Sequence, residues 1–309
     1  MNNSLSELFA PPAFETAAAN YIENCLKNKA EIARDAMGNV IAHMGGSGKK
    51  LLLSAHIDEP SLMITHIDEN GFLRFAVAGK LLPIELINSK VVFLNNTCGV
   101  VSSDASKSST EIKTSDLFID INAGSREEAE KLVLEGDMAV IGGRTLSRLC
   151  CGTLLELFDE IKNPKYDLYF AFTVQKEVGF RGITPVVNSV KPDIFIALDT
   201  VKSDDIPCGK SEIKLEGGAV ITVKDGRSVL SPSLVSNFRE IALKNSVSVQ
   251  YASFKEQQTE APTVQSAAGG CDTAAICIPV RYLNTASETV SENDILSAKI
   301  LINHFVTEA

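Results

Sequence analysis

The sequence predicts an α/β fold interrupted by a small β-rich insertion, and three of its features carry that expectation. Apolar strand-like runs (KKLLLSAH, DLYFAFTV, DIFIALDT, AAICIPVRYLN) alternate with helix-period runs, the pattern of a largely parallel sheet with helices on its faces. Between Ser61 and about Arg144 that alternation stops, and short β-like runs separated by turns take over. The long apolar strands end in or near His56, Glu177 and Asp199, at the strand ends where ligands collect in open α/β sheets. The expected organisation is a discontinuous main domain, 1–60 with 145–309, carrying an inserted domain, 61–144.

The 309 residues, 45% of them hydrophobic, suffice for a substantial core. A net charge of −10 with no basic stripe excludes a general nucleic-acid or anionic-membrane binder. The opening MNNSLSELFAPPAFETAAAN has no basic segment leading into an apolar one, and no later stretch has the uncharged length of a membrane span, which places the expected location in the cytoplasm. Seven cysteines without CxxC spacing read as reduced thiols, and the adjacent Cys150 and Cys151 as core packing.

Taken in order, PPAFETAAANYIENCLKN spaces Phe14, Ala18, Tyr21, Ile22 and Cys25 as a helix with Pro12 near its start. EIARDAMGNVIAHM reads as a hairpin about Gly38 and Asn39. GGSGKK has the wrong glycine spacing for a phosphate loop and precedes a strand, KKLLLSAH, which ends at His56 with Asp58 and Glu59 just beyond. The inserted region offers the runs SLMITHI, FLRFAVAG, KVVFL, CGVVSS, DLFIDI and DMAVIGG and one helix, SREEAEKLVL; His66 and Asp68 read as strand and turn residues ahead of Asn70-Gly71. Afterwards come a helix (LCCGTLLELFDEI), two strands (DLYFAFTV, DIFIALDT), a helix in SPSLVSNFREIALKN that Ser231 or Ser233 can cap, two further strands (VSVQYASF, AAICIPVRYLN) and a closing helix, SENDILSAKILINHFV.

Hydrolysis of an amide at neutral pH needs a nucleophilic water and a Lewis acid, and clustered His, Asp and Glu at strand ends supply both by holding zinc. His56 with Asp58 two residues on reads as a ligand whose second nitrogen is steadied by a carboxylate. Glu177 and Asp199, each taken alone, read as a cap or ion-pair partner more often than as a ligand.

Together these stretches resemble a known family. AHIDEPSLMITHIDENGFLRF, TVQKEVGFRG, IALDT and IPVRYLNTASE are similar, in matching order over nearly the whole chain, to the tetrahedral aminopeptidases, cytoplasmic dinuclear-zinc exopeptidases of glutamyl, lysyl and deblocking types that are sometimes labelled cellulases. The resemblance implies a zinc-peptidase-like α/β/α sandwich with an inserted β-barrel-like dimerisation domain, release of N-terminal residues from peptides, and assembly of twelve subunits into a hollow tetrahedron.

Carried over singly, His56 and Asp58 take the positions of a zinc ligand and its orienting acid, and Glu177 and Asp199 those of two further ligands. Other positions depart from the family pattern. With Arg148 fixed in a Leu-Asp-Asp/Asn-Arg motif, the metal-bridging aspartate falls at Leu146, beside Ser147. Lys176 stands where the first of two paired glutamates, the general base, is expected; a protonated lysine accepts no proton and repels a divalent cation. Asn284 replaces the last histidine ligand, and Glu260 occupies the acid position of an altered Gly-Gly-Thr-Asp loop.

The resemblance therefore implies a catalytically impaired or inactive homologue kept for assembly, regulation or binding, with zinc or cobalt as cofactor if any is bound. It is expected to form a homo-oligomer, dimer to dodecamer, or a mixed shell with active relatives. Two alternatives stay open. One is an active hydrolase with a rebuilt site, a single metal held by His56, Asp199 and one of Glu260, Glu288 or Cys150, with Lys176 a neutral base if burial depresses its pKa. The other is a module binding peptides or small molecules, an acidic ligand drawn by Lys176 included.

Overall fold

Strict alternation within the long strands sets the layers. Leu51, Leu53 and Ala55, Phe170 and Phe172, Ile194, Ile196 and Leu198, and Ala274, Ile276 and Ile278 all bury against one layer, built from the helices Thr16–Leu26, Leu149–Glu160, Pro232–Lys244 and Glu292–Glu308. The intervening Leu52, Ala171, Phe195, Ala197 and Ala275 bury against the other, built from Ile183–Val190 and Ala261–Gln265. A sheet covered on both faces needs apolar side chains on both, which is why these strands read as continuous apolar runs. The structure, a computed structural model, describes residues 3–103, 112–142, 146, 148–207, 209 and 212–308.

The large sheet runs in the order Glu31–Arg34, Val40–Gly45, Asp167–Thr173, Lys50–His56, Ile194–Ser203, Asp272–Arg281, Ala219–Asp225, Ser228–Val229, with Val249–Ser253 and Thr289–Val290 attached as branches. Its four central strands, from Asp167–Thr173 to Asp272–Arg281, are mutually parallel, so their C-terminal ends open on one side. Thr173 pairs with His56 there, and Ser54 with Ala197, which sets Asp199 at the same level one strand over.

The remaining strands, Ser61–Ile67, Leu73–Ala78, Leu117–Asp120, Cys98–Ser103, Lys90–Phe93 and Met138–Ile141, close into an antiparallel barrel around Leu62, Ile64, Leu73, Val91, Val101 and Ile119. All six lie within the stretch set apart by its sequence pattern. The expected boundary at 144/145 falls outside the described residues, as does Ser147.

Local differences from the sequence reading have physical reasons. The first long helix begins only at Thr16, so Phe14 lies ahead of it, 37% exposed. SREEAEKLVL is helical only over Arg126–Glu130, because Val133 must turn inward to the barrel core while Leu132 and Leu134 face out. Asp199 does not end its strand, which continues to Ser203 because Asp272–Arg281 pairs with it along its whole length. Ser231 sits at the N-cap of Pro232–Lys244, yet its hydroxyl pairs with that of Ser233 and makes no capping bond to the backbone. Among the described residues no helix is long and apolar enough to cross a membrane.

Candidate functional site

Parity of position brings the first group of site residues together. Ser54 and His56 lie on the same side of their strand as Leu52, Thr173 on the side of Ala171, and Asp199 on the side of Phe195 and Ala197. That side also receives Glu260, at the N-terminal end of the Ala261–Gln265 helix. The Ser54 hydroxyl donates to Glu260 Oε2 at 2.6 Å and the Thr173 hydroxyl to Oε1 at 2.7 Å. Burial raises the Glu260 pKa, with the two hydroxyls opposing that rise. With both oxygens engaged as struts between strands, Glu260 has a structural task already.

The second group rides on the loop after Thr173. Three side chains fix its backbone through four bonds: Asn39 Oδ1 accepts from Val174 N–H (2.9 Å), Glu15 from Gln175 N–H (3.0 Å), and the two Asp58 oxygens from Lys176 N–H (3.0 Å) and Glu177 N–H (2.8 Å). Such bonds hold the left-handed turn at Gln175 (φ 54°) and aim Lys176 and Glu177 back across the strand ends. The Asp58 carboxylate thus grips a loop. Its distance to His56 Nδ1 is 3.5 Å, whereas the nearer partner of that nitrogen, at 2.9 Å, is the Asp58 backbone carbonyl. The expected carboxylate support of His56 is therefore shared between a backbone and a side-chain oxygen.

At the centre lies the Lys176 ammonium, 3.2 Å from Glu177 Oε1 and 3.4 Å from Asp199 Oδ2. His56 Nε2 is 3.5 Å from the other Asp199 oxygen. Burial works against the charged forms of Lys176, His56 and Asp199, so the pairing decides their states. For Lys176, burial favours the neutral amine, but the charges of Asp199 and Glu177 outweigh it and raise its pKa. A lowered lysine pKa, which a neutral base requires, is not found. His56 follows the same logic: burial and the Lys176 charge push down, hydrogen bonds to Asp199 and Asp58 push up, and its pKa reaches about 10. For Asp199 burial pushes up, but Lys176 and then His56 bring it to about 2.

Leu146 and Asn284 flank a cleft of about 240 Å³ whose walls include His56, Lys176, Glu177 and Glu288. Leu146 brings no donor atom. The Asn284 side-chain amide turns towards the barrel and donates to the Lys80 carbonyl (2.9 Å), while the backbone N–H of Asn284 donates to Glu288 Oε1 (2.8 Å). Cys150, on the cleft wall, is held as a thiol because burial raises its pKa. Among the described residues no group of three or more His, Cys, Asp and Glu side chains is disposed to hold a metal ion.

Some participants escaped the sequence reading. Gly79, in the barrel, packs so closely on Glu177 that an added Cβ would lie 2.5 Å from Oε2. Arg148, noted only as a fixed point of alignment, is wholly buried and paired with Glu59 at 2.9 Å. Glu15 is buried beside Asp58 with its pKa raised to about 7, chiefly by burial. A Glu in HIDEP and an Arg opening an apolar helix were the available signals for the buried pair; nothing in the local sequence marks Gly79 or Glu15.

Comparison with known proteins agrees with this architecture. A protein of Acetivibrio thermocellus provisionally named an aminopeptidase is 37% identical over 287 residues, covering 88% of this chain and 87% of its own. The structure of an aminopeptidase from the archaeon Desulfurococcus kamchatkensis superposes with a TM-score of 0.91 at 28% identity, covering 99% of this chain and 93% of the other. The TET1 peptidase of Pyrococcus horikoshii, which can assemble into a tetrahedron or a large octahedral shell, gives 0.86 at 29% identity, covering 99% and 98%. Residues 38–301 match the family model of the M42 glutamyl aminopeptidases, and with its α/β fold and closed barrel the chain belongs to that family.

Proposed function

We propose that this protein is a catalytically impaired M42 aminopeptidase homologue that keeps the family scaffold and cleft, binds a peptide or small molecule there, and assembles as a homo-oligomer. The observation that carries the reading is Lys176, seated between Glu177 and Asp199 at 3.2 and 3.4 Å. At the position of the family's general base, its protonated amine has no lone pair for a water proton. Losing that base alone is worth about 10²–10⁴ in rate, and losses within one cooperating set are far from additive.

The metal that the resemblance implies, zinc or cobalt, does not fit the residues present. His56, Glu177 and Asp199 retain ligand-type side chains, but a cation lies among them, Leu146 offers nothing at the bridging position, and the Asn284 amide is engaged elsewhere. The rebuilt-site alternative is weakened on the same grounds, since Glu260, Glu288 and Cys150 are a strut, a backbone acceptor and a protonated thiol. An acidic ligand drawn by Lys176 is likewise disfavoured, because two carboxylates already face that ammonium.

The closed barrel and the likeness to a shell-forming peptidase support the oligomer; light scattering on the purified chain tests it, a strict monomer being the opposing result. For the catalytic reading, a panel of aminoacyl-chromogens is incubated with the protein in Zn²⁺, Co²⁺ or Mn²⁺. Silence throughout is expected; turnover abolished by Lys176→Met refutes it.

A further inference from the structure

We propose that the Lys176 ammonium is a resident cation that does the charge-neutralising work of a metal between Glu177 and Asp199, so that folding needs no metal and this pocket accepts a divalent ion only when the ammonium is removed. The inference rests on the functional reading above and goes beyond it, since a protein can lose its base and still bind metal.

Several independent contacts converge on this assignment. The side chains of Lys176, Glu177 and Asp199 are only 14%, 9% and 5% exposed, so water screens their charges poorly and each needs a partner inside the protein. The ammonium faces one oxygen of each carboxylate, a bridging role that a metal fills in a dinuclear site. Its backbone is pinned by Asp58, so the position is built rather than sampled by a loose surface chain. The second oxygen of Glu177 lies against Gly79, just after the barrel strand Leu73–Ala78, which closes that side to its movement.

Charge bookkeeping points the same way. Asp58, Glu177 and Asp199 bring three carboxylates to this volume, answered by Lys176 and His56. With Lys176 present, an added dication meets an ammonium beside the oxygens it must bind. Without it, Glu177 and Asp199 face a site lacking its cation, with His56 3.5 Å from the far Asp199 oxygen; these are side-chain types that hold zinc or cobalt once they close on the ion.

The test compares the full-length wild type with Lys176→Met, neutral and of similar length, and Lys176→Glu, which adds a carboxylate. Each is dialysed against Co²⁺, then measured for metal content, visible Co²⁺ absorption and thermal midpoint with Co²⁺ or with EDTA. The wild type is expected to hold no cobalt above the dialysis blank and to melt at one temperature under both conditions. At least one variant is expected to take up cobalt with a visible band and a midpoint that rises with the ion. Stoichiometric cobalt in the wild type, or a wild-type midpoint lowered by EDTA, overturns the inference, as do folded variants that both stay metal-free. If neither variant folds, the wild-type measurements alone decide. Peptidase turnover without metal uptake would sink the functional reading and leave this inference standing; metal uptake by a wild type that remains silent does the reverse.

Discussion

Replacing Arg148 with methionine tests which half of a motif is architecture. The guanidinium donates from Nε to the Leu5 carbonyl (2.8 Å), from Nη1 to Glu59 (2.9 Å), and from Nη2 to the carbonyls of Ser6 (2.8 Å) and Leu8 (2.6 Å). Its side chain is 0% exposed and that of Glu59 6%, so solvent cannot take over the pairing. Removing one partner of a buried pair costs about 3–5 kcal/mol because the other charge stays behind. The carbonyls add less than their usual ~1–3 kcal/mol each, since those of Ser6 and Leu8 can rehydrate if the N-terminal segment loosens. A net loss of about 4 kcal/mol follows for Arg148→Met.

With a urea slope of about 3 kcal/mol/M, the midpoint of urea unfolding followed by circular dichroism should fall by roughly 1.3 M. Adding Glu59→Gln removes the stranded carboxylate and should recover about half of that loss. A shift below about 0.3 M in the single variant would mean that Arg148 is not a keystone. A double variant no better than the single would show that the stranded Glu59 charge is not the source of the cost.

Other expectations follow from the same geometry. Asp199, held near 2 against a usual 3.8, stabilises the fold above pH 3.8 and ceases to as pH falls through 2; His56, raised from 6.5 to about 10, stabilises below pH 6.5 and ceases to as pH rises through 10. Urea midpoints across pH should therefore decline at both ends, and an alkaline decline undiminished in His56→Gln would remove His56 as its source. Glu15, raised from 4.5 to about 7, is most at ease protonated, so its contribution is lost between those values; Glu15→Gln should gain on the order of 1–2 kcal/mol over wild type at pH 8 and nothing at pH 4, with equal effects at both refuting the assignment. Gly79→Ala, at φ 98° and with its Cβ 2.5 Å from Glu177, should cost about 1–3 kcal/mol, and a neutral thermal midpoint would show that the barrel does not press on this carboxylate. Asn284→His alone should bring no metal uptake, because Lys176 remains in place and the side chain at 284 faces Lys80; cobalt bound by this variant would contradict both points.

Much of this was legible because it depends on periodicity and strand order. The alternation that gives two apolar faces also decides that His56, Thr173 and Asp199 share a side, and the change in pattern at Ser61 marks where the barrel strands begin. What stayed hidden depends on contacts between residues distant in sequence. Nothing in HIDEP tells that Asp58 would clasp the backbone of Lys176 and Glu177, or that Asn284 would reach Lys80 across 204 positions. The state of Lys176 was hidden for the same reason: burial and neighbouring charge act in opposite directions, and only distances decide between them.

The positions that the sequence resemblance sets apart from the family pattern also differ in kind from those that it matches. Arg148 and Asp58 hold backbone, three carbonyls in the first case and two loop N–H groups in the second, so replacing either opens the frame around the cleft. Positions 146, 176 and 284 hold no such frame through a metal-type side chain: a leucine lines the wall, an amide joins barrel to sheet, and a lysine answers two carboxylates. A site that only decayed would be expected to keep buried carboxylates without counter-charge, at several kcal/mol each. Here the lysine meets that cost. Glu177 and Asp199 can persist beside it for stability alone, and their presence in a sequence is therefore no proof that a metal is bound.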